Sequence, residues 1–117
     1  MIDFNLDTKY RIDFTSNFKK QLKKAIKQNK NIDELLEVIV KLANKEKLDI
    51  KYRNHDLIND KTYKECSECH IRPDWLLIYK YVDDKLVLVL FAIGSHRELF
   101  GKWFFGNSYR KDSFLLV

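Results

Sequence analysis

Apolar and polar side chains alternate near the start of the chain, where Tyr10, Ile12 and Phe14 are separated by Arg11 and Asp13. Successive side chains on a β-strand point to opposite faces, so this alternation predicts a short strand with one apolar face. Beyond residue 14 the apolar residues recur every three or four positions instead of every two. That change of period indicates that a helix follows the strand.

Two helices are predicted after this strand. Thr15 or Ser16 can cap the first, and Asn31 with Glu34 three residues later resembles the capping box of the second. The polar turn at residues 29–31 is short enough to make the two helices an antiparallel hairpin. The predicted apolar stripes are Phe18, Leu22, Ala25 and Ile26 in the first helix and Ile32, Leu35, Leu36, Ile39, Leu42 and Ala43 in the second.

The second half of the chain has the pattern of a sheet. Residues 45–61 are polar and show no clear period, so no element is predicted there. Pro73 separates two strands, and Ser95 with Glu98 predicts a capped helical turn. The predicted elements are strands at residues 63–70, 75–81 and 86–93 and a helical turn at residues 95–100. The order β-α-α-β-β-β-α predicts an α+β fold, with the helical hairpin packed on one face of a mostly antiparallel sheet.

The length of 117 residues predicts a single domain with a core of its own. Apolar residues are 45% and charged residues 33% of the chain, which excludes a disordered segment. No stretch approaches the roughly 18 apolar residues of a membrane-spanning helix, and the N-terminus has no signal-peptide pattern. We therefore expect a cytoplasmic protein with no membrane association.

Positive charge is concentrated on the first predicted helix. The chain carries a net charge of +5, and no acidic residue interrupts residues 15–30. A basic face of this kind is compatible with a nucleic acid or an acidic protein as partner, although many lysine-rich proteins bind neither. The lysines of that face include Lys20, Lys23, Lys24 and Lys27.

Cys66 and Cys69 precede His70 in the spacing C-x-x-C-H, which is the attachment motif of c-type haem. Haem attachment requires export to an oxidising compartment, for which the chain has no signal. On a strand, residues 66 and 69 point to opposite faces, so they cannot share one haem or form a disulfide. We expect two reduced, partly buried thiols.

All three histidines, His55, His70 and His96, lie in the second half of the chain. With Asp74 they are suitable zinc ligands, but zinc sites usually contain close histidine pairs and these are widely spaced. His55 is equally compatible with a solvated loop position, and His70 with a structural position. No metal or other cofactor is expected.

His96 carries the strongest signal for catalysis. It follows the predicted cap Ser95, so free backbone N–H groups beside it are expected to favour a phosphate. Asp74 and Trp75 begin a neighbouring strand. RNA cleavage needs a base for the 2′-hydroxyl, an acid for the departing 5′-oxygen and an aromatic ring that stacks on a base. These residues supply such groups if the fold brings them together.

Three segments of the chain, residues 55–57, 68–80 and 94–100, together resemble the YafQ branch of the RelE superfamily, which are toxins of bacterial type II toxin–antitoxin pairs. The most specific are Glu68 to Lys80, which contains His70, Pro73, Asp74 and Trp75, and Gly94-Ser95-His96 with its following Leu99-Phe100. The resemblance covers about residues 10–101, so residues 102–117 are a C-terminal extension of one toxin domain over residues 1–117.

The resemblance implies a cytoplasmic endoribonuclease that cleaves mRNA in the ribosomal A site and is neutralised by a cognate antitoxin. His96 falls on the family's proton donor, and His55, His70 and Asp74 fall on the other catalytic positions. Trp75 and Phe100 match positions that line the site or pack beneath it. The lysine face matches the surface with which such toxins bind ribosomal RNA. Arg72 and Arg97 are further candidate RNA contacts.

Two arginines that are frequent in the family are absent, because their positions are Ser67 and Ala92. The glycine that usually follows the first histidine motif is also missing from residues 55–59. Losing an arginine that neutralises a phosphate can cost orders of magnitude in rate, and Arg72 or Arg97 would have to replace it. The alternative function is therefore a degenerate, non-catalytic module that binds RNA or the ribosome.

Overall fold

Side-chain caps define where the helices begin. The computed structural model describes residues 3–101, and the predicted extension at residues 102–117 lies outside this range. Helix α1 spans Ser16–Lys27, and Thr15 Oγ1 accepts a hydrogen bond from the Phe18 N–H at 3.0 Å. Helix α2 spans Ile32–Ala43 and is capped by the Asn31 side chain. Each such cap contributes about 1 kcal/mol to stability, which explains why both helices begin where the sequence predicted.

Helix α3 spans His96–Phe100 and has a complete capping box. The Glu98 N–H donates to Ser95 Oγ, and the Ser95 N–H donates to the Glu98 carboxylate at 2.8 Å. The box predicted at Asn31 is only half formed. The Glu34 carboxylate turns away from the cap, accepts a hydrogen bond from Tyr52 Oη and forms an ion pair with Arg72.

The sheet has five strands in the order β1-β5-β4-β3-β2. Strands β1 and β5 are parallel and the other pairs are antiparallel, so the predicted α+β architecture is confirmed. The strands are β1 Arg11–Phe14, β2 His55–Asp56, β3 Ser67–Arg72, β4 Trp75–Val82 and β5 Val87–Gly94.

Two features of the second half differ from the prediction. Strand β2 is a two-residue element in a region where none was predicted, and it exists because it pairs with β3. Strand β3 begins at Ser67 rather than near residue 63. The strand begins later because the Asp60 carboxylate accepts hydrogen bonds from the Thr62 and Tyr63 N–H groups and holds that segment in a turn.

Alternation along β4 divides the core into two apolar clusters. Trp75, Leu77 and Tyr79 pack with α1 and α2 on one face of the sheet. Leu76 and Ile78 point the other way, into a smaller cluster that includes Leu57, Tyr63, Cys66, Ala92 and Leu99. Burying one large apolar side chain contributes about 2 kcal/mol, so both clusters stabilise the sheet.

Two members of the predicted apolar stripes are largely outside the core. Phe14 is 42% exposed and Ile26 is 41% exposed. Phe14 lies on the edge strand β1 and packs its ring against Phe4 and Phe18 rather than beneath a helix. Ile26 lies at the margin of the α1 stripe, whose centre is Phe18 and Leu22.

Cys66 and Cys69 are free, buried thiols that belong to the two different apolar clusters. They therefore lie on opposite faces of the sheet, as the strand period predicted. Burial raises the pKa of the Cys66 thiol to about 11 and raises the pKa of the Cys69 thiol even further. Neither thiol supplies a thiolate at neutral pH.

Candidate active site

The strand connections bring all three histidines to one end of the sheet. Pro73 and Asp74 alone connect β3 to β4, so His70 and Asp74 stay near this corner. Strand β5 runs antiparallel to β4 and ends beside the start of β4, where α3 begins with His96. Strand β2 places His55 opposite Glu68 of β3. Residues that are distant in sequence therefore meet because of the sheet register.

A buried carboxylate joins the first two histidines. Glu68 Oε1 lies 3.2 Å from His55 Nε2 and 3.0 Å from His70 Nε2. The Glu68 side chain is fully buried, and within residues 3–101 its second oxygen, Oε2, has no hydrogen-bond partner. We call Glu68, His55 and His70 the buried trio.

Sequence reasoning missed Glu68 as a functional residue. The signal was nevertheless present, because Glu68 and His70 are two positions apart on a strand and so share one face. A carboxylate on a strand whose neighbours are buried must find a partner, and a histidine on the same face is the nearest candidate.

The trio shifts the pKa values of its own members. Burial is the largest single influence on His55 and acts to lower its pKa, but the hydrogen bonds to Glu68 and to the Asp56 carbonyl, together with the charges of the carboxylates of these two residues, outweigh it and raise this pKa above 6.5. Burial acts to raise the pKa of Glu68, but hydrogen bonds from His55 and His70 outweigh it and lower this pKa below 4.5. The trio thus favours an ionised carboxylate with a protonated His55.

The third histidine is paired with an exposed carboxylate. His96 Nδ1 lies 2.6 Å from Asp74 Oδ1, and the His96 backbone N–H donates to the same oxygen at 2.8 Å. The Asp74 side chain is 62% exposed. Partial burial acts to raise the pKa of Asp74, but the two hydrogen bonds from His96 outweigh it and lower this pKa. We call His96 and Asp74 the exposed dyad.

The three histidines of the trio and the dyad line one cleft, with Glu68 and Asp74 behind them as hydrogen-bond partners. The His70 ring centroid lies 6.2 Å from that of His55 and 5.4 Å from that of His96, so the three imidazoles form a row with His70 in the middle. The cleft has a volume of about 390 Å³. Its lining consists of Ile50, Arg53, Asn54, His55, His70, Pro73 and His96.

The backbone N–H groups predicted to bind a phosphate at the start of α3 are partly engaged by protein groups. The His96 N–H donates to Asp74, and the Glu98 N–H donates to Ser95 Oγ. These groups would have to leave protein partners before binding a phosphate. The helix start instead orients the dyad, since Asp74 receives both the backbone and the ring of His96.

The two predicted aromatic residues lie beneath the site. Trp75 is 4% exposed and belongs to the cluster under the helices, so the prediction that its ring stacks on a base is wrong for this arrangement. Phe100 packs edge-on against Tyr63 at 5.7 Å between ring centroids. Both residues support the elements that carry Asp74 and His96.

The predicted basic residues divide into two groups. Lys20, Lys23 and Lys27 are exposed on α1. Lys24 forms an ion pair at 2.6 Å with Glu98, which ties α1 to α3. Arg72 is paired with Glu34 at 2.9 Å, and Arg97 is exposed but does not line the cleft.

Local contacts explain which residues occupy the two positions where the family often has an arginine. Ala92 is completely buried in the smaller apolar cluster, where a guanidinium would be desolvated. Ser67 donates its hydroxyl to Asp56 at 2.7 Å and so links β2 to β3. Both residues stabilise the sheet, and neither supplies charge to the cleft.

The trio has the composition of a metal site, which sequence spacing alone did not suggest. Each member of the trio offers one ligand atom, and these three atoms lie within 4.8 Å of one another. Two imidazoles and a carboxylate suit Zn²⁺ or Cu²⁺. Ligation requires deprotonated imidazole nitrogens, so a bound ion would replace the protons that the trio otherwise holds.

Comparisons with known proteins show which family the chain resembles. The sequence profile described as a bacterial toxin of type II toxin–antitoxin system, YafQ, matches residues 10–101. A protein named mRNA interferase toxin YafQ, from Escherichia coli strain B/BL21-DE3, is 33% identical over 91 residues, which are 77% of this chain and 95% of that protein.

Solved structures with the same fold include a metal-bound toxin from Helicobacter pylori, with 36% identity and a TM-score of 0.71 over 76% of this chain and 97% of that one. Another is the E. coli DinJ–YafQ complex, with 32% identity and a TM-score of 0.69 over 79% of this chain and 99% of that one. Within the described residues, no helix has the length and apolar character needed to span a membrane.

Proposed function

The chain belongs to the YafQ family of bacterial toxins of type II toxin–antitoxin systems, and on this premise we propose that it is an endoribonuclease that cleaves mRNA on the ribosome by acid–base catalysis. The observation that carries the proposal is the meeting of three imidazoles at one cleft, where each is hydrogen-bonded to one of two carboxylates. Their hydrogen bonds fix both ring orientation and proton position, which acid–base catalysis requires.

His96 is the proton donor in this proposal. Asp74 holds Nδ1 of His96 and stabilises the protonated ring, as a carboxylate does for a catalytic imidazole in other hydrolytic sites. The proton on the opposite nitrogen then passes to the departing 5′-oxygen. The His96 ring lines the open cleft, through which solvent can return a proton to it after each reaction.

His70 is the base. In its neutral form, the hydrogen bond from Nε2 to Glu68 leaves the lone pair on Nδ1. His70 takes the proton of the 2′-hydroxyl, and the 2′-oxygen attacks phosphorus. The bond from phosphorus to the 5′-oxygen breaks, which yields a 2′,3′-cyclic phosphate and a 5′-hydroxyl. His55, whose raised pKa favours the protonated form, adds positive charge on the other side of His70 when it carries its proton.

The lysines of α1 supply binding rather than chemistry. Lys20, Lys23 and Lys27 are exposed on one helix, where they can contact phosphates of ribosomal RNA. The partner that restrains the toxin is a cognate antitoxin, as the E. coli DinJ–YafQ complex illustrates for that protein. A net charge of +5 favours an acidic antitoxin segment.

The proposal is tested with purified protein and a defined mRNA, either free or positioned in the ribosomal A site. We expect cleavage of the ribosome-bound mRNA, with a cyclic phosphate on one product and a 5′-hydroxyl on the other. Ribosome binding without any cleavage would contradict the enzymatic proposal and support the non-catalytic binding module.

The binding surface is tested separately with a triple variant, Lys20→Ala, Lys23→Ala and Lys27→Ala. Its affinity for ribosomes should depend less steeply on salt, because each lost phosphate contact lowers the slope of log K against log salt by about one. The matched control changes Lys47, Lys61 and Lys85 to Ala, which removes the same charge from exposed positions outside α1. Equal slopes in the two variants would contradict the role of the α1 face.

A further inference from the structure

The cleft needs a positive charge that the expected positions do not supply. Attack on the phosphate concentrates negative charge on its non-bridging oxygens, and a fixed cation that meets this charge can accelerate the reaction by orders of magnitude. Ala92 is buried, and Ser67 is bonded to Asp56. Arg72 is already paired with Glu34, and Arg97 lies outside the cleft lining.

Among the lysines and arginines within residues 3–101, Arg53 is the one that lines the cleft. It borders the same cavity as His55, His70 and His96. Its side chain is exposed, and no carboxylate within residues 3–101 forms an ion pair with it. The guanidinium is therefore available for a ligand, unlike that of Arg72.

The backbone holds Arg53 in place between two anchored points. It ends the short 3₁₀ turn Ile50–Tyr52 in a left-handed conformation with φ of 47°, and its N–H donates to the Ile50 carbonyl at 3.0 Å. The next residue, Asn54, accepts a hydrogen bond from the buried Tyr79 hydroxyl. A non-glycine residue in this conformation is uncommon and is strained unless its surroundings hold it.

We propose that Arg53 neutralises the scissile phosphate in the transition state and is a further catalytic residue of the reaction. This inference rests on the proposed ribonuclease function. The planar guanidinium can donate two parallel hydrogen bonds to one phosphate, which gives direction as well as charge. His55 lies two residues further along the chain and lines the same cleft, so the cation and the histidines can reach one phosphate.

The test compares Arg53→Gln and Arg53→Lys with the unmodified protein in single-turnover cleavage of ribosome-bound mRNA. We expect Arg53→Gln to lower the rate constant by about a hundredfold or more, which is the usual scale for removing one donor to a developing oxyanion. Arg53→Lys should recover part of this loss, because it keeps the charge and loses the planar fork. The shape of the pH–rate profile should not change, because Arg53 does not titrate in this range.

The matched control is Arg11→Gln, which removes an exposed arginine from β1 at the opposite edge of the sheet. Arg53→Asn provides a check on folding, since asparagine tolerates the left-handed conformation better than most residues. It should fold and remain as inactive as Arg53→Gln.

The outcomes separate the two proposals. If the unmodified protein cleaves and Arg53→Gln cleaves equally fast, the role of Arg53 is overturned while the ribonuclease proposal stands. If Arg53→Gln lowers the affinity for ribosomes but leaves the rate constant at saturating ribosome concentration unchanged, Arg53 is a binding contact and the inference is again overturned. If the unmodified protein does not cleave, both proposals fail.

Discussion

The buried trio and the exposed dyad use the same chemical pair, an imidazole with a carboxylate, but their carboxylates are in opposite environments. Glu68 is fully buried beneath His55 and His70, whereas the Asp74 side chain is 62% exposed beside His96. In a low-dielectric interior a broken pair leaves an uncompensated charge, but at the surface water replaces the lost partner. The trio should therefore control stability, and the dyad should control proton transfer.

The strongest way to test this comparison is to neutralise the buried carboxylate. Glu68→Gln keeps the size of the side chain but removes the charge that pairs with two histidines. We expect a loss of about 3 kcal/mol in the free energy of unfolding, as for removing one partner of a buried ion pair. Urea denaturation followed by fluorescence measures it. The control Glu65→Gln changes an exposed glutamate, and an equally small effect in both variants would contradict the buried role of Glu68.

The next largest effect should appear in catalysis rather than stability. His96→Gln keeps hydrogen-bonding capacity but cannot deliver the proton, so single-turnover cleavage should fall about a hundredfold or more. The decline of the rate at high pH, where the donor loses its proton, should disappear with it. The free energy of unfolding should change by about 1 kcal/mol or less, which is the usual contribution of one side-chain hydrogen bond. Near-wild-type cleavage, or a retained decline at high pH, would assign the donor to another group.

Asp74→Asn should have a smaller effect on rate. The amide oxygen can still accept the His96 N–H bonds, but it no longer stabilises the protonated imidazole. We expect a rate about tenfold lower and a stability change below about 1 kcal/mol, as for exposed pairs. Asp84→Asn on the turn between β4 and β5 is the control for charge. A stability loss as large as that of Glu68→Gln would remove the distinction between the two sites.

The smallest effect concerns the pH dependence of stability. The pKa of His55 is raised, so its contribution is fully present below pH 6.5 and is lost as pH rises through its folded-state value. The stability gap between the unmodified protein and His55→Gln should therefore narrow between pH 5.5 and 8.5. Glu68 stays ionised throughout, because its pKa is lowered below 4.5. Urea denaturation in the presence of a chelator measures this difference in the free energy of unfolding. A difference that is independent of pH would contradict a charged pair of His55 with Glu68.

The helices could be predicted closely because their signals are local. Thr15, Asn31 and Ser95 each cap a helix through a hydrogen bond that spans three residues. The apolar stripe centred on Phe18 and Leu22 likewise needs only the helical period. The capping box predicted at Asn31 formed only in half, because the Glu34 carboxylate bonds to residues of other elements instead. Local sequence signals do not predict such long-range contacts.

The site could be predicted only in part. The sequence and its family resemblance pointed to His55, His70, Asp74 and His96. The sheet brings the three histidines to one cleft and places Asp74 against His96, while their catalytic roles stay a prediction. Glu68 was missed because a carboxylate on a strand is usually solvent-exposed, and its burial depends on β2 pairing with β3. Arg53 was missed because it lies in a polar segment with no period, where exposure does not distinguish one cation from another.

The sequence by itself determined the α+β class, the helix boundaries and the opposite directions of Cys66 and Cys69, since each depends on periodicity or on contacts a few residues apart. Only the tertiary structure decided which charges are buried and which cation reaches the cleft. Strand register and side-chain partners set those outcomes, and both join residues that are far apart in the chain. Glu68 is buried where β2 pairs with β3, Arg72 is paired with a carboxylate of α2, and Arg53 lines the cleft from the end of a 3₁₀ turn.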